Sequence, residues 1–207
     1  MVLGNAAVLT GDIVASRRSG RARLDAGIAA LSLASDRFAA IAGSDLRFTR
    51  YRGDGWQVLL DRPDLALRAM ICLRAALKAE GGGLDTRIAA GFGAVETGAE
   101  RDLSGATGPA FFASGEALDT AGDRRYVIAL PGWPQAVAAL LDAIVTDWTA
   151  AQAEAAAIDA AENLIQADIA KKLGITRQAV QQRLAGAKMG AVRQAIETFE
   201  ATHGRAA

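Results

Sequence analysis

The spacing of apolar and polar positions divides this chain into two unlike parts. Up to residue 134, short apolar runs alternate with helical periods. Residues 6–10 predict a buried strand that breaks at Gly11-Asp12. Residues 21–42 place Leu24, Ile28, Leu31, Phe38 and Ile41 at helical spacing. Residues 46–51 and 57–60 predict two strands around the turn at 52–55, where Gly53 and Gly55 give a hairpin signal. A second amphipathic helix over 65–80 ends at three consecutive glycines, 81–83. A strand over 86–95, a helix over 110–121 and a strand over 126–130 follow. The order β-α-β-β-α-β predicts an α+β, ferredoxin-like domain: an antiparallel sheet with helices packed on one face.

Pro131-Gly132-Trp133-Pro134 interrupts this pattern and sets a boundary, giving a first domain of 1–134. Beyond it, Leu140, Ile144, Trp148, Ala151, Ala155 and Ile158 recur at alternating four- and three-residue steps. They predict one long connecting helix over 135–163 with a narrow apolar seam. That seam suits either a helix lying on the first domain or a homodimer contact.

Residues 164–207 form the last unit, and 166–184 read as a helix-turn-helix. Gly174 supplies the turn, Thr176 occupies the N-cap position, and Ile169, Leu173, Ile175, Val180 and Leu184 share one small core. This leaves Arg177, Gln178, Gln181, Gln182 and Arg183 along the second helix. Arg and Gln are the side chains that read guanine and adenine edges. With Lys171 and Thr176 they make a candidate DNA surface; a helical hairpin for protein contacts is the competing reading.

Composition adds three constraints. The chain has 207 residues, 51% apolar, with Lys and Arg balancing Asp and Glu, which allows a sizeable core and argues against disorder. The single cysteine excludes an internal disulfide, and with no secretory pattern or spanning apolar run a cytoplasmic location is the default. Cys72 falls in an apolar helical pattern, whereas His203, the lone histidine, is expected in a solvated tail; zinc sites and histidine-based triads are nearly excluded. The zero net charge hides an asymmetry. Residues 135–163 carry five acids and no base, while 164–207 carry seven bases against Asp168, Glu197 and Glu200, as a phosphate-binding unit requires.

Two Gly-Asp pairs carry the remaining chemistry. Gly11-Asp12 ends the first strand and Gly53-Asp54 occupies the hairpin, so the fold brings both carboxylates to one edge. Paired carboxylates with no adjacent base repel unless a cation lies between them, and Mg²⁺ with a nucleoside triphosphate suits such a pair. The loop from Ile13 through Ser16, Arg17 and Arg18 would offer backbone N–H groups and guanidiniums to the phosphates. Gly-Asp is also ordinary turn chemistry, and that reading stays open.

Thr10-Gly-Asp-Ile-Val-Ala-Ser-Arg17, Tyr51-Arg-Gly-Asp-Gly-Trp-Gln57, Gly108-Pro-Ala-Phe-Phe112 and the C-terminal helix-turn-helix together resemble the SatD family of bacterial proteins. Over about residues 5–130 the chain is in turn similar to the palm-like domain of class III nucleotidyl cyclases. That resemblance implies two metal ions at Asp12-Ile13 and Gly53-Asp54, with Arg87-Ile-Ala-Ala-Gly91 as the following strand. It places Arg50 where a purine-reading lysine belongs, and Phe112 and Glu116 where a ribose-orienting asparagine and a transition-state arginine belong. Phe cannot hydrogen-bond a ribose and Glu repels phosphate, so the resemblance implies metal and triphosphate binding without cyclisation. The expected function is a DNA-binding regulator whose first domain senses a nucleotide through Mg²⁺. The alternative is a metal-dependent cyclase or nucleotidyltransferase with an appended helix-turn-helix.

Overall fold

A computed structural model describes residues 2–14, 20–51, 53–162 and 164–203. The described residues form five strands: β1 (Val2–Ile13), β2 (Leu46–Tyr51), β3 (Gly55–Leu60), β4 (Thr86–Glu96) and β5 (Tyr126–Ile128). Between them lie α1 (Arg21–Ala42), α2 (Ala66–Ala79) and α3 (Pro109–Asp119). After β5 come α4 (Trp133–Thr146), α5 (Ala150–Glu162), α6 (Gln166–Leu173), α7 (Arg177–Gly186) and α8 (Met189–His203). No helix among the described residues is long and apolar enough to cross a membrane.

The sheet order is β2-β3-β1-β4-β5. Neighbouring strands from β2 to β4 in this order are antiparallel, but β5 runs parallel to β4, so the sheet is mixed rather than antiparallel. The reason is connectivity: α3 carries the chain back to the end at which β4 began, and a strand reached through a helix runs parallel.

Alternation along β1 separates the two faces. Ala7, Leu9 and Ile13 join Val58, Leu60, Ile88 and Ala90 against α1 and α2. Ala6 and Val8 face the other way, with Leu59, Val95 and Ala110 of α3. Helices therefore cover both faces, not one. A Cβ added at Gly91 would lie 2.3 Å from the carbonyl oxygen of Ala110 and 2.4 Å from the Ser114 nitrogen, so the missing side chain is what seats α3 on β4.

The single long helix expected over 135–163 is two helices. Thr149 and Gln152 form a reciprocal capping box: the Thr149 N–H donates to Gln152 Oε1 at 2.9 Å, and the Gln152 N–H donates to Thr149 Oγ1 at 3.2 Å. Trp148, just before it, is buried and donates Nε1–H to the Ala187 carbonyl at 3.0 Å, which pins the break to the turn between α7 and α8. The seam also differs from expectation: Trp148 and Ala155 are buried in the chain's own core, while Leu140 is exposed.

The core does not stop at Pro134. One contiguous cluster runs from Leu9 and Ile88 in the sheet through Trp148 and Ala156 to Ile169, Val180 and Phe199. Arg68 of α2 donates to Glu200 of α8 at 2.6 and 2.9 Å and to the Ala160 carbonyl of α5 at 2.8 Å. His203 is not a solvated tail residue. It sits half-buried in the last turn of α8, stacked on Phe199 with ring centroids 4.1 Å apart and beside Phe92 and Trp133. Cys72 is buried in α2, and that burial pushes its thiol up to about 12.

Candidate functional site

Register brings the two Gly-Asp motifs together. Asp12 lies directly opposite Gly55 of β3, and the next step of the ladder is the Ile13 N–H donating to the Asp54 carbonyl at 3.2 Å. Asp12 in β1 and Asp54 in the turn just before β3 thus lie on adjacent stretches of backbone at the end where β1 leaves the sheet. Gly11 adjoins them because nothing larger fits: a Cβ there would lie 2.4 Å from the Trp56 ring. Trp56 is fully buried and donates Nε1–H to Thr86 Oγ1 at 3.1 Å, and that hydroxyl donates to the Asp12 carbonyl at 2.6 Å. The main chain carrying Asp12 is held from both sides.

The premise that no base lies beside the pair is wrong. Arg87 stands directly opposite Asp12 across the β1–β4 ladder and binds its carboxylate with two donors. Nε donates to Oδ1 at 2.9 Å and Nη2 to Oδ2, while Nη1 reaches the Gly122 carbonyl at 3.3 Å. Hydrogen bonding to Asp12 raises the Arg87 guanidinium above its ordinary value, and the charges of Asp12, Asp119 and Asp54 act in the same direction against partial burial. One cation already serves this acidic edge. Sequence reasoning missed it, although a lone arginine in an otherwise apolar strand is a signal that an acid lies opposite.

This pairing decides the fit of a resident metal ion. Both Asp12 oxygens are engaged by the guanidinium, and the Asp12 and Asp54 carbonyls already accept from Thr86 and Ile13. Among the described residues no group of three or more acids, histidines or cysteines is arranged to hold a metal. The donors are of the right hard-oxygen kind for Mg²⁺, but in this arrangement they do not form a vacant coordination shell.

The other nucleotide-site expectations fare unevenly. The Ile13 side chain is buried and its N–H is spent on Asp54, while the next N–H, from Val14, donates to the Asp85 carbonyl at 2.8 Å. Neither is available to phosphates, because Ile13 still belongs to the strand and Val14, just past it, has its own backbone partner. Ser16, Arg17 and Arg18 lie outside the described residues. Arg50 is half-exposed but folded over its own hairpin, with Nε donating to the Gly53 carbonyl and Nη1 to Asp25, each at 2.8 Å. It braces the turn that presents Asp54. On α3, Phe112 and Glu116 are exposed. That helix starts against Gly93 and Ala94, at the end of β4 remote from Arg87, and its Ser114 hydroxyl meets that of Thr10 in β1 at 2.8 Å.

Asp85 anchors the exit of β1 from beneath. Its carboxylate accepts from fully buried Arg74 at 2.7 and 2.9 Å, and Arg74 also reaches Asp142 and Thr146 of α4. Burial by itself lowers the Arg74 guanidinium, but the hydrogen bond to Asp85 and the surrounding carboxylates hold it above its ordinary value. The segment entering residues 15–19 is therefore tied to α2 and α4.

The second candidate surface is the α6–α7 pair. Gly174 closes α6 at φ 63°, where a side chain would be strained. Thr176 caps α7, its hydroxyl accepting from the Ala179 N–H at 3.1 Å. Its oxygen thus serves the helix end. Arg177, Gln178, Gln181 and Gln182 are exposed, as is Lys171, and among the described residues none makes a side-chain hydrogen bond or ion pair.

Arg183 departs from expectation by donating to Glu154 of α5 at 2.8 Å. Its case is general. The acids of α5 hold bases of the last three helices: Glu154 with Arg183, Asp159 with Arg193, and Glu162 with Lys172. The charge asymmetry is largely neutralised inside the molecule. Of the described bases from α6 through α8, Lys171, Arg177 and Lys188 remain exposed and outside any ion pair.

No protein-family model matches the chain, and no curated protein is similar to it. Among solved structures it is similar to the catalytic core of a rhodopsin-guanylyl cyclase with converted specificity in complex with ATPalphaS. The two are 20% identical over 58% of this chain and 74% of that one, with a TM-score of 0.46. A dimeric guanylyl cyclase domain of the RhoGC fusion protein from the aquatic fungus Blastocladiella emersonii is 17% identical over 58% and 76% of the two chains, TM-score 0.43. The active GGEEF domain of a diguanylate cyclase from Vibrio cholerae is 15% identical over 62% and 85%, TM-score 0.41.

Proposed function

We propose that this chain binds a nucleoside triphosphate at the edge formed by the end of β1 and the β2–β3 hairpin, as a nucleotidyl-cyclase-like domain. The observation that carries the reading is that the end of β1 holding Asp12 lies against the hairpin turn holding Asp54. Charge selects the form of the ligand. The charges of Asp12, Asp54 and Asp119 all act on the Arg87 guanidinium, so the edge is acidic and the Mg²⁺ complex of a triphosphate matches it better than the bare anion.

Melting curves with each of the four triphosphates, with and without Mg²⁺, test this. A ligand at a hundred times its dissociation constant adds about 2.7 kcal/mol of stability, or roughly 5–11 °C for a chain of this size. One triphosphate with Mg²⁺ is expected to give that shift, and Asp54→Asn to remove it. If no triphosphate moves the transition, the proposal fails. Product analysis of the same mixtures separates binding from turnover. A cyclic or transferred nucleotide that disappears in Asp54→Asn makes the domain an enzyme; recovery of intact triphosphate makes it a sensor.

The exposure of Arg177, Gln178, Gln181 and Gln182 on one capped helix supports a second activity, DNA binding by the α6–α7 pair. Arg177→Ala and Gln178→Ala are each expected to weaken a specific site by about 1–3 kcal/mol, and Lys171→Ala to weaken all sequences alike. Gel shifts with neither sequence preference nor salt dependence exclude this activity.

A further inference from the structure

We propose that Arg87 is the resident counter-cation of Asp12 and closes that carboxylate to free divalent ions, opening only when a metal–triphosphate complex offers the guanidinium another anion. The opening rests on the nucleotide reading above; the closure rests on geometry alone. Arg87 and Asp12 are opposed in register, and both carboxylate oxygens accept from one planar fork. An arginine cannot escape such a contact by losing its proton, and paired charge-assisted hydrogen bonds are among the strongest a side chain makes. Nη1 on the Gly122 carbonyl fixes the fork in its plane, so the contact is more than a loose surface pair.

A free Mg²⁺ ion must displace this fork and shed tightly held water, and among the described residues no group of three or more acids is arranged to receive it. A triphosphate changes the exchange. Its oxygens match the guanidinium as well as a carboxylate does, so Arg87 can pass from Asp12 to phosphate while the accompanying ion takes the freed oxygens. Arg87 would thus be a positioning residue that makes metal binding conditional on nucleotide.

Mn²⁺ alone is the probe, read by loss of its free electron-paramagnetic-resonance signal. The wild-type protein is expected to leave the signal undiminished. Arg87→Gln is expected to bind one ion at least tenfold more tightly than wild type, and adding Asp12→Asn to that variant should abolish the gain. Arg87→Lys retains charge but only one point of contact, so it should lie between the two; it serves the same comparison if Arg87→Gln does not fold. Equal Mn²⁺ binding by wild type and either variant overturns the closure, as does binding that survives Asp12→Asn. Repeating the titration with a non-hydrolysable triphosphate tests the exchange: wild type should then take up Mn²⁺, and Arg87→Gln should lose nucleotide affinity. If wild type binds no triphosphate, the proposed function falls while the metal-only contrast still decides the closure.

Discussion

Phe199→Ala separates a molecule with one core from one with two. Phe199 is fully buried in α8 and touches three groups: Phe92 of β4 at 6.2 Å between ring centroids, Trp133 of α4 at 6.0 Å in an edge-on arrangement, and His203 at 4.1 Å. Truncating a buried Phe costs about 3–5 kcal/mol in transfer and cavity terms. At roughly 2–4 °C per kcal/mol for a chain of this size, the melting point should fall by ~6–20 °C. What matters is which part of the molecule feels it. Trp56 lies in the sheet core, far along the chain from the substitution. In a background where Trp133 and Trp148 are both Phe, its fluorescence reports the sheet while far-UV circular dichroism reports mainly helix. With a continuous core, both signals should shift together, by the same amount, relative to that background. A helical signal that melts early while the Trp56 transition stays in place would refute the reasoning and restore a division near residue 134.

Three further outcomes are expected. Thr176→Ala removes the hydroxyl that caps α7 and should cost about 1 kcal/mol, read by chemical denaturation; no loss would mean the cap contributes nothing. Gly91→Ala forces a methyl against the backbone of α3 and should destabilise by about 1–3 kcal/mol or more, whereas Gly115→Ala, with open space around it, should not. Cys72, buried and with its thiol pushed up to about 12, should resist alkylation at mildly alkaline pH in the native protein and react at the rate of unfolding. Rapid labelling of native protein would contradict its placement.

Chain order alone determined much of this protein. Helical periods and turn residues act over three or four positions, so α1, α2, the β2–β3 hairpin, the Gly174 turn and the Thr176 cap could all be read before any packing was known. The break before α5 was equally local: Thr149 and Gln152 stand at capping-box spacing, and the regular apolar steps across them concealed it. The meeting of Asp12 with Asp54 followed from strand order, since a hairpin laid beside β1 leaves few other registers. What only tertiary structure decided is where the charges go. Arg87 finds Asp12 across a separation of 75 residues, Arg68 finds Glu200 across 132, and Arg193 finds Asp159 across 34. Periodicity is blind to such pairs because a charged side chain takes its partner from whatever packing brings within reach. The same blindness hid the face chosen by α3 and the burial of His203, for both depend on which surface is left uncovered once the other elements have packed.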